Sequence, residues 1–304
     1  MNFKIVGIGE FLWDLLPGGR QLGGAPANFA YHACALGAEA RLISRVGSDD
    51  LGREALERLQ TLGVPTDCIE LDQTLPTGTV SVEVAPEGQP HYQIHENVAW
   101  DAIHGESAGR LTVAAADAVC FGSLAQRSEP SRSTIRSLVA AAPTSGLRIF
   151  DINLRQHYYS PEVNEESLAL ANVLKVNDAE LPRLAAMFNL SGDERSQISQ
   201  LAERHRLRVV AYTRGGRGSL LFSEGRWSDH PGTGTNVVDT IGAGDSFTAA
   251  MTIGLLAGWD LDRINENANL IASFVCSRAG ATPELPERLS ALFLPPLLAI
   301  RTTL

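Results

Sequence analysis

Apolar runs of strand length alternate along the chain with amphipathic segments of helix length. Phe3–Gly9 reads as a buried strand and Ala40–Val46 as the next one. Pro26–Leu36 between them reads as a helix, with proline in its first turn and Gly37 just past its end. Ser48 or Asp49 can cap the helix that then runs to about Leu62. The pattern resumes with strand Ala118–Gly122, helix Ser131–Ala141 and strand Leu147–Ile152, and with strands near Val173–Val176 and Arg208–Tyr212. This alternation predicts an α/β fold with a parallel sheet covered by helices on both faces.

Two stretches break the rhythm, about 11–22 and 65–99. In the second, Thr79–Val84 alternates with period two, and a Pro-Glu-Gly turn at Pro86–Gly88 leads to His91–Ile94. The pattern is that of a hairpin outside the main sheet, either a flap over a site or an ordinary surface hairpin. With no repeat, low-complexity tract or linker in view, the reading is one domain over 1–304 with these two segments inserted. The apolar end, Phe293–Leu304, carries a Pro-Pro pair and yields no prediction.

Composition narrows the chemistry. A formal net charge of −10 without a basic run argues against general nucleic-acid binding. Glu10 and Asp14 interrupt the apolar N-terminus, and no apolar run approaches the ~20 residues of a membrane span. The expectation is a cytoplasmic protein. Cys34, Cys68, Cys120 and Cys276 form no C-x-x-C pair and read as buried free thiols. The only lysines are Lys4 and Lys175, so phosphate would have to be gripped by arginine or backbone N–H groups.

The strongest chemical signal is Asp239–Phe247, DTIGAGDSF, followed by a small, apolar, buried helix at Thr248–Leu256. Gly242, Ala243 and Gly244 then stand where a loop becomes a helix N-terminus, a place whose free N–H groups and dipole favour an anion. Asp245 lies in the first turn, where a carboxylate can take a proton from a hydroxyl or merely stabilise the helix. GGAPANFA at Gly23–Ala30 places two glycines before a helix and Asn28 just inside it, as a polar-ligand contact or as a helix cap. Asp14 is a sugar-gripping acid or a solvated loop acid. Asn177 and Glu180, spaced i,i+3 after a strand, suit Mg²⁺ held mostly through water, or form a capping pair. Thr213–Gly218, TRGGRG, is a glycine-rich turn suited to a nucleotide. In DINLR, Arg155 offsets phosphate charge or pairs structurally with Asp151. The P-loop, the dinucleotide glycine fingerprint and the G-x-S-x-G elbow are absent.

With GGAPANFA and DTIGAGDSF in that order, the chain resembles the PfkB (ribokinase-like) family of carbohydrate kinases over about residues 3–290. GEFLWDLLP at Gly9–Pro17, ENVAWD at Glu96–Asp101 and FGSLAQRS at Phe121–Ser128 look most like bacterial fructokinases. The resemblance implies a Rossmann-like three-layer α/β/α core with a mostly parallel sheet and a small β-strand lid. It implies phosphoryl transfer from MgATP to a sugar hydroxyl, fructose first, with 2-keto-3-deoxygluconate, ribose or a nucleoside as alternatives. A catalytically silent sugar-binding or scaffold protein is the reading from another class. Asp245 would be the base and Gly242, Ala243 and Gly244 the anion hole. Asp14, Gly23, Gly24 and Asn28 would hold the sugar, and Asn177 and Glu180 would organise Mg²⁺. Thr213, Gly215, Gly216, Gly218 and Asn269 would line the nucleotide site. Asp239, Ile241, Val275, Arg278 and Gly280 match the positions of a monovalent cation such as K⁺, with Glu284 where ribokinases carry serine. Ala25 replaces the lysine that ribokinases carry after the paired glycines, which points away from ribose. Lid pairing between subunits would give a homodimer.

Overall fold

A computed structural model describes residues 3–16, 18–84 and 90–293. The Pro86–Gly88 turn and residues 294–304 lie outside the described residues. The chain begins with β1 (Lys4–Ile8), β2 (Leu12–Leu16), β3 (Gly19–Gly23), α1 (Ala25–Ala35), β4 (Glu39–Gly47), α2 (Asp50–Thr61) and β5 (Ile69–Asp72). It continues with β6 (Gly78–Val84), β7 (Pro90–Ile94), α3 (Ser107–Ala114), β8 (Ala118–Phe121), α4 (Glu129–Ala141) and β9 (Leu147–Asp151). Next come α5 (Pro161–Leu170), β10 (Val173–Asn177), α6 (Leu181–Phe188), α7 (Glu194–His205), β11 (Val209–Thr213), β12 (Ser219–Ser223) and β13 (Arg226–His230). The last elements are α8 (Ala243–Leu256), α9 (Leu261–Cys276) and the short α10 (Glu287–Ser290).

Among the described residues the main sheet runs β13-β12-β11-β10-β9-β8-β1-β4-β5. It is parallel from β11 to β5, and β12 and β13 add an antiparallel edge. Both faces are buried, which is why its strands read as continuous apolar runs. Side chains alternate between two cores: Ile5, Cys120, Ile149 and Val173 join one, and Val6, Phe121, Phe150 and Leu174 join the other. The first core is closed by Phe29 of α1, Phe247 and Met251 of α8 and Ile271 of α9. The second is closed by Val113 of α3, Ile135 and Leu138 of α4, Leu168 of α5, Leu184 of α6 and Leu201 of α7. This is the expected three-layer α/β/α architecture.

The second sheet runs β3-β2-β6-β7. The 11–22 break is a β2–β3 hairpin, and β6 pairs parallel to β2 and antiparallel to β7. The 65–99 segment is divided, because its β5 pairs with β4 at the edge of the main sheet. Trp13 of β2, 1% exposed, donates its indole N–H to Leu51 O at 2.9 Å and fastens the small sheet to α2. Among the described residues, no helix is long and apolar enough to cross a membrane.

Asp49, not Ser48, caps α2, and it also ties the small sheet to the core. Its Oδ1 accepts from Gly52 N at 2.7 Å and Thr77 Oγ1 at 2.6 Å, and its Oδ2 from Thr77 N at 2.8 Å. These bonds outweigh burial and hold the Asp49 pKa below the usual carboxylate range. Asp49→Ala should lower the unfolding free energy by about 1–2 kcal/mol, measured by urea denaturation at neutral pH. Because the folded-state pKa is depressed, this stabilisation is present above the ordinary carboxylate pKa and lost as the pH falls. The gap between variant and wild type should therefore narrow in acid.

Candidate functional site

The chain order of the parallel strands reverses at β1, which has β4 on one side and β8 on the other. In open α/β sheets the crevice outside the carboxyl ends of the strands at such a switch binds ligands. A cavity of about 490 Å³ opens there. Of the sugar-contact candidates, Asp14, Gly23, Gly24, Asn28 and Arg155 all line it. So do Gly242, Gly244, Asp245, Asn177 and Ile241.

Close backbone approach makes this possible. Gly24 has φ 110, and a Cβ there would fall 2.4 Å from Glu10 O. Gly242, the N-cap of α8, has φ 78, and a Cβ there would fall 2.3 Å from Ala281 O. Only glycine takes these conformations at such separations without strain. The first turn of α8 therefore reaches the cavity at Gly242 and Gly244, while Ala243 does not line it and donates its N–H to Thr240 O at 3.3 Å.

Asp245 is 8% exposed and accepts a hydrogen bond on Oδ2 from Asn28 Nδ2 at 2.8 Å. Burial, then the charge of Asp151, pushes its pKa up to about 6, against the lowering effects of Asn28, Lys175 and Arg155. Burial likewise lifts Asp14 to about 6, with Arg155 opposing.

Two residues important to the site were passed over in the sequence. Glu10, just past β1, lines the cavity with its Oε1 accepting from Ala25 N at 3.3 Å and its Oε2 without a partner. Burial raises it to about 7. Lys175 also lines the cavity. Its Nζ would lie 2.9 Å from a Cβ built on Gly244. The scarcity of lysine leads to the expectation that arginine or backbone N–H groups meet phosphate, yet Lys175 stands at the cavity, because the rarity of a residue says nothing about where a copy sits. A lysine inside the apolar run VLKVN was the available signal.

Arg155 donates to Asn153 Oδ1 at 3.1 Å. Its structural alternative, pairing with Asp151, is not what forms, because Asp151 Oδ1 accepts from Lys175 Nζ at 3.1 Å. Asn177 and Glu180 adopt the capping arrangement. Asn177 Oδ1 accepts from Ala179 N and Glu180 N, while Glu180 accepts from Asn177 N and Leu154 N. Glu180 is buried and does not line the cavity. Among the described residues no group of three or more His, Cys, Asp or Glu could hold a metal ion. A Mg²⁺ fits here only as a companion of nucleotide phosphates, retaining water, since Glu180 does not line the cavity and Asn177 Oδ1 is already engaged by Ala179 N and Glu180 N.

The nucleotide candidates lie next along the strand ends. Thr213 is the register partner of Asn177, and Gly215–Arg217 form a single 3₁₀ turn. Asn269 commits its amide N–H groups to Ser219 Oγ and to Asn265. Of the monovalent-cation candidates, Asp239 accepts from Ile241 N and Gly280 N at 3.0 Å each, and Val275 O accepts from Arg278 N. The loop is drawn together there, with both Asp239 oxygens already engaged.

ENVAWD and FGSLAQRS meet beside the cavity, to which only Leu124 of the two motifs contributes. Arg127 is bidentate to Asp101 at 2.7 and 2.9 Å, donates to His95 O and stacks 3.8 Å from the Trp100 ring centroid. Nearby, Tyr158 Oη donates to Ile94 O and Gln156 Nε2 to Tyr92 O, so the segment after Arg155 holds β7.

Residues 18–288 match the model of the pfkB family carbohydrate kinases. A sugar kinase of Pyrococcus horikoshii is 32% identical over 306 residues, covering 94% of each chain. Its structure in complex with ATP superposes with a TM-score of 0.80 at 29% identity, over 95% of this chain and all of that one. A fructokinase of Klebsiella pneumoniae is 33% identical over 269 residues, covering 84% of this chain and 86% of its own. By the extent of these matches, the chain belongs to the pfkB family of carbohydrate kinases.

Proposed function

We propose that this carbohydrate kinase transfers the terminal phosphoryl group of ATP to a hydroxyl of fructose, with Asp245 as general base. The observation that carries the reading is one cavity holding Asp245 between sugar-sized polar groups and the open N-terminus of α8. Asp14, Gly23, Gly24 and Asn28 hold the sugar. Asn28 fixes one oxygen of Asp245, leaving the other for the attacking hydroxyl. As the new O–P bond forms, the hydroxyl proton passes to Asp245 and the bond to the departing ADP breaks. Charge on the moving group is met by the N–H groups of Gly242 and Gly244 and, once it leaves Thr240 O, of Ala243, and by Arg155 and Lys175. Mg²⁺, carried in with the nucleotide, would neutralise phosphate charge. A base near pKa 6 is ionised at neutral pH and still a stronger proton acceptor than an ordinary aspartate.

Fructose is favoured by the Klebsiella relative and by Ala25 after the paired glycines. One observation favours a second reading. Arg155 faces the cavity without an ion-pair partner among the described residues, as a site for a substrate carboxylate such as that of 2-keto-3-deoxygluconate would require.

Asp245→Asn should reduce kcat by roughly a hundredfold or more while leaving ATP affinity nearly unchanged, since the amide keeps the shape and loses the basicity. A coupled ADP-release assay with parallel calorimetry checks this, and near-normal turnover would refute the base. In wild type, kcat/KM should fall below pH about 6 as Asp245 is protonated. The same assay over fructose, 2-keto-3-deoxygluconate, ribose and nucleosides identifies the substrate. If fructose is turned over, Arg155→Ala should mainly lower kcat. A KM rise of roughly tenfold or more on an acidic sugar alone would instead support the carboxylate reading.

A further inference from the structure

Asp151 and Lys175 are register partners on adjacent parallel strands. Period-two alternation puts Asp151 on the face of Leu147 and Ile149, and Lys175 on the face of Val173. That face packs against α8, so both charges are carried into the protein beneath its first turn. Their side chains are 6% and 4% exposed. Every oxygen of the carboxylate is used: Oδ1 accepts from Lys175 Nζ at 3.1 Å and Oδ2 from Thr248 Oγ1 at 2.8 Å. The Thr248 hydroxyl is also 2.9 Å from the carbonyl oxygen of Gly244. One carboxylate thus joins β9, β10 and the turn of α8 that carries Asp245.

We propose that Asp151 is a positioning residue that locks the first turn of α8 onto the sheet and holds the Lys175 ammonium beneath Gly244, fixing the charge felt by Asp245 and by a phosphoryl group in the anion hole. The inference rests on Asp245 being the base. Lys175 stays charged there. Burial opposes its protonated form, but Asp151, Glu180 and Asp245 outweigh burial and raise its pKa. Asp151 and Lys175 act on Asp245 in opposite directions, the first raising its pKa and the second lowering it. Arg155, from the segment after β9, also lowers it. Glu10 after β1 and the Cys120 thiol of β8 each feel the charge of Asp245. Asn28 of α1 is its neutral partner.

The test is the acid limb of kcat/KM against pH, for whichever sugar is turned over, in wild type, Asp151→Asn, Lys175→Met and the double variant. Thermal melts at each pH confirm folding. Ionisation of ATP is common to all four proteins and cancels. Asp151→Asn should move the limb down by roughly one unit and Lys175→Met should move it up by a similar amount, with the double variant near wild type. Asp151→Asn leaves a buried ammonium unpaired and can fail to fold. The double variant removes both charges at similar volume, so its limb lying below that of Lys175→Met carries the test alone. Coincident limbs in folded variants, or shifts of the same sign, would overturn the proposal. An active Asp245→Asn would instead sink the reading of the site. An inert Asp245→Asn with coincident limbs would remove only the role of Asp151.

Discussion

The close approach of the first turn of α8 to the carboxyl ends of the sheet governs the rest of the structure. Gly242 lies against the backbone of Ala281, and Gly244 above the Lys175 ammonium. A Cβ on Gly242 would collide with the Ala281 backbone and force the turn to withdraw, and one on Gly244 would displace the Lys175 ammonium. Behind that turn the helix has no choice of surroundings. Asp245 to Gly254 are all buried, enclosed by α1, α9 and the sheet. Its small and apolar sequence is therefore the consequence of burial on every side, and its one polar end is the end that meets the strand tips.

Concentrating charge at that end has a thermodynamic consequence. Glu10, Asp14 and Asp245 all have pKa values raised by burial, to about 7, 6 and 6. The stabilisation linked to each is fully present below the ordinary carboxylate pKa and is lost as the pH rises through these values. The unliganded site is thus most comfortable with protons on its acids, while the proposed reaction needs Asp245 without one. Lys175 and Arg155 reconcile the two demands by favouring the ionised carboxylate at Asp245. Lys175 is itself kept charged in a dry place by Asp151, and breaking a buried pair of this kind costs about 3–5 kcal/mol.

The layer order and most strand and helix positions were legible in the sequence, because a doubly covered parallel sheet writes each strand as an unbroken apolar run. So was the glycine-led turn before Asp245. What escaped depends on register and three-dimensional proximity. Arg155 is four residues from Asp151 and invited a local pairing, yet Asp151 is satisfied across the sheet by Lys175, fixed by which residues of β9 and β10 stand side by side. The β2–β3 hairpin escaped for another reason. Leu12, Asp14 and Leu16 line the cavity while Trp13 and Leu15 pack in the core, so both faces carry apolar residues and no apolar–polar alternation shows in the sequence. Glu10 sits two residues past a strand end, where sequence alone cannot distinguish a solvated acid from a buried one.

Of the three motifs that most resembled fructokinases, GEFLWDLLP gives Glu10, Leu12, Asp14 and Leu16 to the cavity wall, whereas ENVAWD and FGSLAQRS give it only Leu124. Asp101 of ENVAWD and Arg127 of FGSLAQRS are committed to each other, and Arg127 is further held by Trp100 and Tyr158. Tyr158 also bonds the backbone of β7, which brings Tyr92 and Ile94 to the cavity wall. ENVAWD and FGSLAQRS therefore mainly support the small sheet beside the cavity, with Leu124 their one side chain on its wall. Discrimination between a neutral and an acidic sugar must fall on the few groups that face the cavity. Of these, Asp14 is countered by Arg155, Asn28 is tied to Asp245, and Lys175 is tied to Asp151. Arg155 alone among these side chains carries a charge that no carboxylate in hydrogen-bonding contact has claimed. The sign of the group placed opposite it is then the strongest constraint the fold puts on the identity of the sugar.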